Sequence, residues 1–215
     1  MLSKWVRKAT RVFFEAAARL IHRAGISANA LTLVGFVLNL VVAYLLAQGG
    51  FFLGGVLVIM GGLLDGLDGA VARLSGSPSR FGAFLDSTVD RFSEAVVYLG
   101  LLLFYLQQGA RQESLLIYAT IVGSLMVSYA RARAEGLGVE CKAGLLTRFE
   151  RLFILVCGLL LNQMLITLWI LAVLSNFTAL QRTYLVWKTT EGRKKKEGQK
   201  NLPSSSPDSG ETSDI

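Results

Sequence analysis

Between Ala30 and Trp187 the chain consists almost wholly of apolar stretches, several about 20 residues long, separated by short polar breaks. About 20 apolar residues is the length an α-helix needs to cross a bilayer. Over all 215 residues the apolar share is 53% and the mean hydropathy is +0.50. A soluble domain would be less apolar and would show shorter runs. The pattern therefore predicts one integral membrane domain of the all-α class and excludes a pair of soluble domains. The polar breaks divide it into six transmembrane helices, at 30–48, 51–74, 82–107, 113–135, 145–162 and 164–187.

Residues 1–23 carry apolar side chains at Leu2, Trp5, Val6, Ala9, Val12, Phe13, Ala16, Ala17, Leu20 and Ile21, with basic residues between them. That spacing is one face of a helix. An amphipathic helix of this kind lies in the headgroup plane and does not cross. It lacks the compact apolar core and cleavage site of a secretory signal. Gly25-Ile26-Ser27 breaks the helix, and Ser27 or Asn29 can cap the next. The domains expected are thus 1–23 as a juxtamembrane helix and 24–189 as the membrane domain. A disordered tail at 190–215 completes the chain, basic at first and then rich in Ser, Pro and Asp.

A net charge of +7 on a soluble protein would suggest nucleic acid. Here the distribution points to a membrane instead, and no nucleic-acid partner is expected. With the N-terminus placed in the cytoplasm, Arg111 alone of the 22 lysines and arginines falls on the far face. The positive-inside rule then puts both termini inside and requires an even number of spans. Cys141 and Cys157 have no metal-binding spacing and are expected as free thiols. His22 sits alone in the basic segment and is read as an interfacial polar residue.

Within this apolar frame stand four aspartates and an arginine: Asp65, Asp68, Arg73, Asp86 and Asp90. Each ionised carboxylate in hydrocarbon costs roughly 2.5–3.5 kcal/mol, so four cost on the order of 10 kcal/mol before they repel one another. Asp65 and Asp68 are three residues apart and Asp86 and Asp90 four, so each pair shares one face of its helix. Consecutive helices joined by a short connection pack as antiparallel neighbours. Asp65 and Asp90, each eight residues from the cytoplasmic connection, then lie about 12 Å in from it at 1.5 Å per residue, and the four acids sit at similar depth. Four carboxylates converging at one depth form an oxygen-lined site for one or two Mg²⁺ or Mn²⁺ ions. Arg73, one turn beyond Gly69, is placed to grip a phosphate. Gly69 either lets a ligand approach the backbone or serves close helix packing; Gly61 and Gly62 fit packing better. Metal with phosphate suggests phosphoryl transfer.

The complete spacing D65-x2-D68-G69-x2-A72-R73-x8-G82-x3-D86-x3-D90 resembles the motif of the CDP-alcohol phosphotransferase family, without a departure. The six helices with an N-terminal interfacial helix resemble that family over about residues 1–187. The resemblance implies an enzyme that transfers a phosphatidyl-type group from a CDP-linked lipid to an alcohol, releasing CMP. It implies a homodimer and a binuclear metal site of Asp65, Asp68, Asp86 and Asp90, with Asp90 as the catalytic base. Gly69 and Arg73 would hold the CDP moiety, joined by Ser79, Asn29 and Thr32 at matching positions.

For the acceptor, S128-Y-A-R131-A-R133-A-E135, R148-F-E-R151 and Q181-R182 are similar to stretches of the subfamily that uses inositol phosphate, acting on phosphatidyl or archaetidyl donors. That resemblance implies acceptor-phosphate binding by Arg131, Arg151 and Arg182, with arginine at the first position where some relatives have lysine. Arg133 and Arg148 are assigned to structural or headgroup contacts. The function expected is transfer from a CDP-diacylglycerol-type lipid to inositol 1-phosphate in phospholipid biosynthesis, at the cytoplasmic face of the cell membrane. Glycerol 3-phosphate is the alternative acceptor. A divalent-cation transporter is the alternative from another class, but it would prefer repeats and acids spread across the bilayer depth.

Overall fold

The computed structural model describes residues 14, 16–21, 23–74, 79–141 and 144–200, with side chains through residue 192. The expectations for residues 1–13, His22, Lys142 and 201–215 lie outside the described residues. Six helices follow in order: α1 Ala28–Ala47, α2 Phe51–Leu74, α3 Arg80–Gln107, α4 Arg111–Gly136, α5 Arg148–Leu160 and α6 Met164–Lys200. No strand occurs among the described residues. The bounds of α1 to α4 fall within two residues of the expected spans.

Local chemistry explains the boundaries. The Ser27 hydroxyl accepts the Ala30 N–H at 3.2 Å and caps α1, leaving Asn29 inside the first turn. Ser79 caps α3 by accepting the Gly82 N–H at 2.8 Å. Gly49 and Gly109, at φ +80° and +68°, close the turns after α1 and α3 in the left-handed conformation that only glycine adopts freely. Thr147 and Glu150 form a reciprocal capping box that opens α5.

Among the described residues, four helices are long and apolar enough to cross a membrane by length and composition: α1, α2, α4 and α6 as far as Gly192. The other two expected spans differ for separate reasons. α3 carries Arg80, Asp86, Asp90, Arg91 and Glu94 within its first 15 residues, so its apolar part is short. α5 has 13 residues, about 20 Å of helix against a hydrocarbon core of about 30 Å. α6 differs in the other direction. It runs to Lys200, into the segment expected as a disordered tail, because Glu, Lys, Arg and Gln are good helix formers.

The most extensive packing is α1 against α3 and α4 against α6; α2 lies against α1 and α5, α4 against α3, and α6 against α5. Both of the closest pairs meet at a glycine. Gly100 of α3 faces the Ala43 backbone so closely that no Cβ could be accommodated. Gly123 of α4 would place a Cβ 2.9 Å from the Asn176 backbone nitrogen. Asn176 fastens this pair by donating to the Ala119 carbonyl at 2.9 Å. Such close approach at small residues is how helices associate in lipid. The buried core includes Val42, Leu46, Tyr98, Leu101, Ile117 and Leu168. Leu33, Val37, Phe52, Phe84, Phe153 and Ile166 point outward, the distribution a lipid-facing surface requires. Cys141 and Cys157 are free thiols, as expected.

Residues 16–21 are helical and pack on α2: Ala18 is buried against Ala70 and Val71. The Phe14 ring lies 2.6 Å from where a Gly66 Cβ would be. Gly66 therefore admits the N-terminal segment.

Candidate active site

The C-terminal half of α2 and the N-terminal half of α3 bring their acids to one end of the bundle, beside the start of α1. A cleft of about 420 Å³ opens there. Its walls include Asn29 and Thr32 of α1, Gly69 and Arg73 of α2, and Ser79 before α3. These are all five residues expected on the CDP side. Asp68 and Asp86 line the same cleft. A Cβ on Gly69 would meet only Arg73 Nη1, at 3.5 Å, so no protein atom fills the space it leaves. A Cβ on Gly82 would come within 3.1 Å of Asn29 Oδ1, which explains a glycine where α1 and α3 converge.

The acids are held by their neighbours. Asp68 is buried and accepts a hydrogen bond from Thr32 Oγ1 at 2.9 Å. Asp65 and Asp90, on different helices, are bridged by one guanidinium: Arg148 Nη2 lies 2.7 Å from Asp65 Oδ2 and Nη1 lies 2.5 Å from Asp90 Oδ2. Arg91 Nη2 lies 3.6 Å from Asp90 Oδ2, and its Nη1 donates to Ser128 Oγ. Asp65 and Asp86 are within electrostatic reach of both Asp68 and Asp90. Among the described residues no three acids stand together as a ready metal cage. The donor set nevertheless fits a hard divalent cation. It offers only carboxylate oxygens, with more negative charge than Arg148 offsets, from two helices that were expected to pack side by side but lie mainly against α1 instead of each other.

Residues 26–181 match the family model for CDP-alcohol phosphatidyltransferase. The chain belongs to this family. It is 38% identical over 192 residues to archaetidylinositol phosphate synthase of Pyrococcus horikoshii, covering 89% of this chain and 99% of that protein. It is 37% identical over 183 residues to phosphatidylinositol phosphate synthase of Mycobacterium marinum, covering 79% of this chain and 77% of the relative. The Mycobacterium tuberculosis phosphatidylinositol phosphate synthase, crystallised with CDP-DAG, superposes with a TM-score of 0.77 at 34% identity, covering 81% of this chain and 93% of that one. Its complex with manganese and citrate superposes at 0.76. This phosphatidyltransferase shares its helical architecture with that crystallised relative over 81% of its length.

The three arginines expected at the acceptor phosphate come from three helices and differ in setting. Arg131 is exposed at the end of α4 and pairs with Glu135 at 2.8 Å. Arg151 is 1% exposed. Its Nε and Nη2 fork onto Glu94 at 2.8 and 3.0 Å, while its buried Nη1 has no hydrogen-bond partner. Arg182 is buried and donates to the Val127 carbonyl at 2.7 Å. Arg182 lies within electrostatic reach of Arg131 and Arg151, so the three share a region.

Two residues of the site escaped the sequence reading. Arg148, assigned there to structural or headgroup contacts, sits at the centre of the acids. Glu94 was not singled out, although Asp86, Asp90 and Glu94 follow at four-residue intervals on one face of α3. That spacing was the available signal.

Proposed function

We propose that this protein transfers a phosphatidyl or archaetidyl group from a CDP-linked lipid to inositol 1-phosphate, releasing CMP. The observation that carries the reading is the cleft itself. All five residues expected to hold the CDP moiety line one cavity, and two aspartates of the motif form part of its wall. The inositol phosphate synthases among its relatives, sharing 37–38% identity, support the choice of acceptor. The acid cluster supports Mg²⁺ or Mn²⁺, two per protomer, on Asp65, Asp68, Asp86 and Asp90.

The reaction needs an acceptor hydroxyl to attack the lipid-bearing phosphorus of the CDP-lipid. A new P–O bond forms to inositol phosphate, the pyrophosphate bond breaks, and CMP leaves with the bridging oxygen. Asp90 takes the hydroxyl proton. When bound, the divalent ions supply charge neutralisation for the pyrophosphate. Asn29, Thr32, Gly69, Arg73 and Ser79 hold the nucleotide side. Arg131, Arg151 and Arg182 hold the acceptor phosphate, for which guanidinium forks are suited. Arg73 and the Gly69 backbone fix the donor relative to the acids, which converts a bimolecular encounter into an oriented one.

The same reading places six helices in the membrane, α3 and α5 included, with both termini and the cleft on the cytoplasmic side, and the chain in a homodimer. Residues 1–23 rest on the lipid surface and 24–189 form the catalytic unit.

The test is an acceptor comparison. Purified protein in detergent with Mg²⁺ is given CDP-diacylglycerol or CDP-archaeol and either inositol 1-phosphate or glycerol 3-phosphate, and CMP release is followed. Turnover with inositol 1-phosphate is expected. Turnover with glycerol 3-phosphate alone would overturn the acceptor. Metal uptake into vesicles with no CMP release from any donor would overturn the enzyme.

A further inference from the structure

Arg148 occupies an unusual position for a cation. It is the first residue of α5, where the exposed backbone N–H groups already present partial positive charge. A basic side chain is disfavoured there. Glu150 in the capping box offsets part of this, but Glu150 turns back to Thr147 and does not reach the Arg148 guanidinium as an ion-pair partner. What holds the guanidinium is the pair of carboxylates it bridges, one on α2 and one on α3. It meets one oxygen of each at 2.7 and 2.5 Å. The contact is reachable: the side chains of Arg148, Asp65 and Asp90 are 33%, 29% and 12% exposed.

We propose that Arg148 is an internal counter-ion that competes with divalent metal for Asp65 and Asp90. This rests on the reading of the four aspartates as the metal site. In the metal-free protein the fork bridges two acids and offsets one of their two negative charges, which lowers their repulsion with each other and with Asp68 and Asp86. It thereby keeps α2, α3 and α5 together at the end of the bundle where the cleft opens. An oxygen that donates its lone pair fully to a metal ion cannot also accept a strong hydrogen bond in the same direction. Loading therefore requires the guanidinium to loosen at least one of its two contacts. The acid cluster is thus poised: stable when empty, and available to metal only at the cost of an ion pair. Arginine suits the task because its planar fork spans two carboxylates, which the single ammonium of lysine does not.

The experiment titrates Mn²⁺ into the detergent-purified full chain, reading free Mn²⁺ by electron paramagnetic resonance, with thermal unfolding in EDTA and in saturating Mn²⁺ alongside. Arg148→Gln is expected to bind Mn²⁺ about tenfold more tightly than wild type, the scale of one charge-assisted contact no longer given up. Its melting temperature should fall in EDTA and recover in Mn²⁺, so the gap between the two conditions widens. Arg148→Lys should bind with intermediate affinity. Unchanged or weaker Mn²⁺ binding by Arg148→Gln, with wild type binding saturably, would overturn the proposal. If Arg148→Gln does not fold in either condition, the lysine variant decides: affinity equal to wild type overturns it. Wild-type protein that shows no saturable Mn²⁺ binding, or binding that survives Asp86→Asn undiminished, would overturn the metal site itself, a different outcome.

Discussion

Arg73 and Arg151 are both expected to meet phosphate, yet the fold treats them in opposite ways. Arg73 is exposed on the wall of an open cleft. Arg151 is wholly buried and already forked onto Glu94 from another helix. In the proposed function the cleft is a preformed receptor for an anionic nucleotide. The arginine region is a charge-compensated interior in which most donors already have protein acceptors. A donor site can be built open because its lining polar groups stay hydrated. A set of cations placed deep among apolar helices must be paired to persist.

The largest effect that bears on this contrast is at Asp90, where the two regions meet through Arg148 and Arg91. Asp90→Asn keeps the size of the side chain and removes its basicity. CDP-lipid binding should be retained while turnover falls about 10²–10⁴-fold. Measured kcat and donor Kd check this together. Near-normal kcat would remove Asp90 as the base and leave the cleft a binding site with its catalytic group elsewhere.

This division also explains what could be read from the chain. The i, i+3 and i, i+4 spacings put Asp65 with Asp68 and Asp86 with Asp90 on single helix faces, but they did not show that α2 and α3 meet mainly through α1 and not directly. Ser79, expected as a nucleotide contact, lines the cleft, and its N-cap shows why the chain turns there. Helix existence was equally legible, since apolar runs are long and the breaks contain Gly or Ser. The acceptor side was less so. Arg131, Arg151 and Arg182 belong to α4, α5 and α6, and whether each points to a pocket or a carboxylate depends on packing between those helices. The ion pairs of Arg148 were hidden for the same reason: its partners are 83 and 58 residues away. The short α5 was hidden because Leu145 and Leu146 continue the apolar run ahead of its Thr147 cap.

Glu94 gives the sharpest test of the paired interior. Glu94→Ala leaves the buried Arg151 charge without its partner and should cost about 3–5 kcal/mol of stability, seen as a lower melting temperature in detergent. Arg151→Ala should also weaken acceptor affinity, by roughly 2–5 kcal/mol if the guanidinium is a desolvated phosphate contact. The double replacement Glu94→Leu with Arg151→Met separates the two roles. Apolar residues of similar volume should recover stability, because neither charge remains buried. Acceptor KM should stay raised. A double variant that regains both would make the Arg151–Glu94 pair structural only, and would place the acceptor phosphate on Arg131 and Arg182.

The smallest effect belongs to the open region and turns on a single methyl group. In Gly69→Ala the added Cβ meets only the Arg73 Nη1 atom at 3.5 Å, an ordinary van der Waals contact. The helix itself gains, since alanine is favoured over glycine by about 1 kcal/mol in a helix interior. Stability should therefore hold or rise slightly. The methyl group projects into the cleft beside Arg73, however, where a phosphate would have to approach the backbone. The KM for CDP-lipid should rise about tenfold, equivalent to about 1.4 kcal/mol, with acceptor KM unchanged. The split between a stability gain and a donor-affinity loss distinguishes a ligand-facing glycine from a packing one. A variant that loses stability would assign Gly69 to helix packing, as Gly100 and Gly123 already are. A variant with unchanged donor KM would move the nucleotide away from this wall of the cleft.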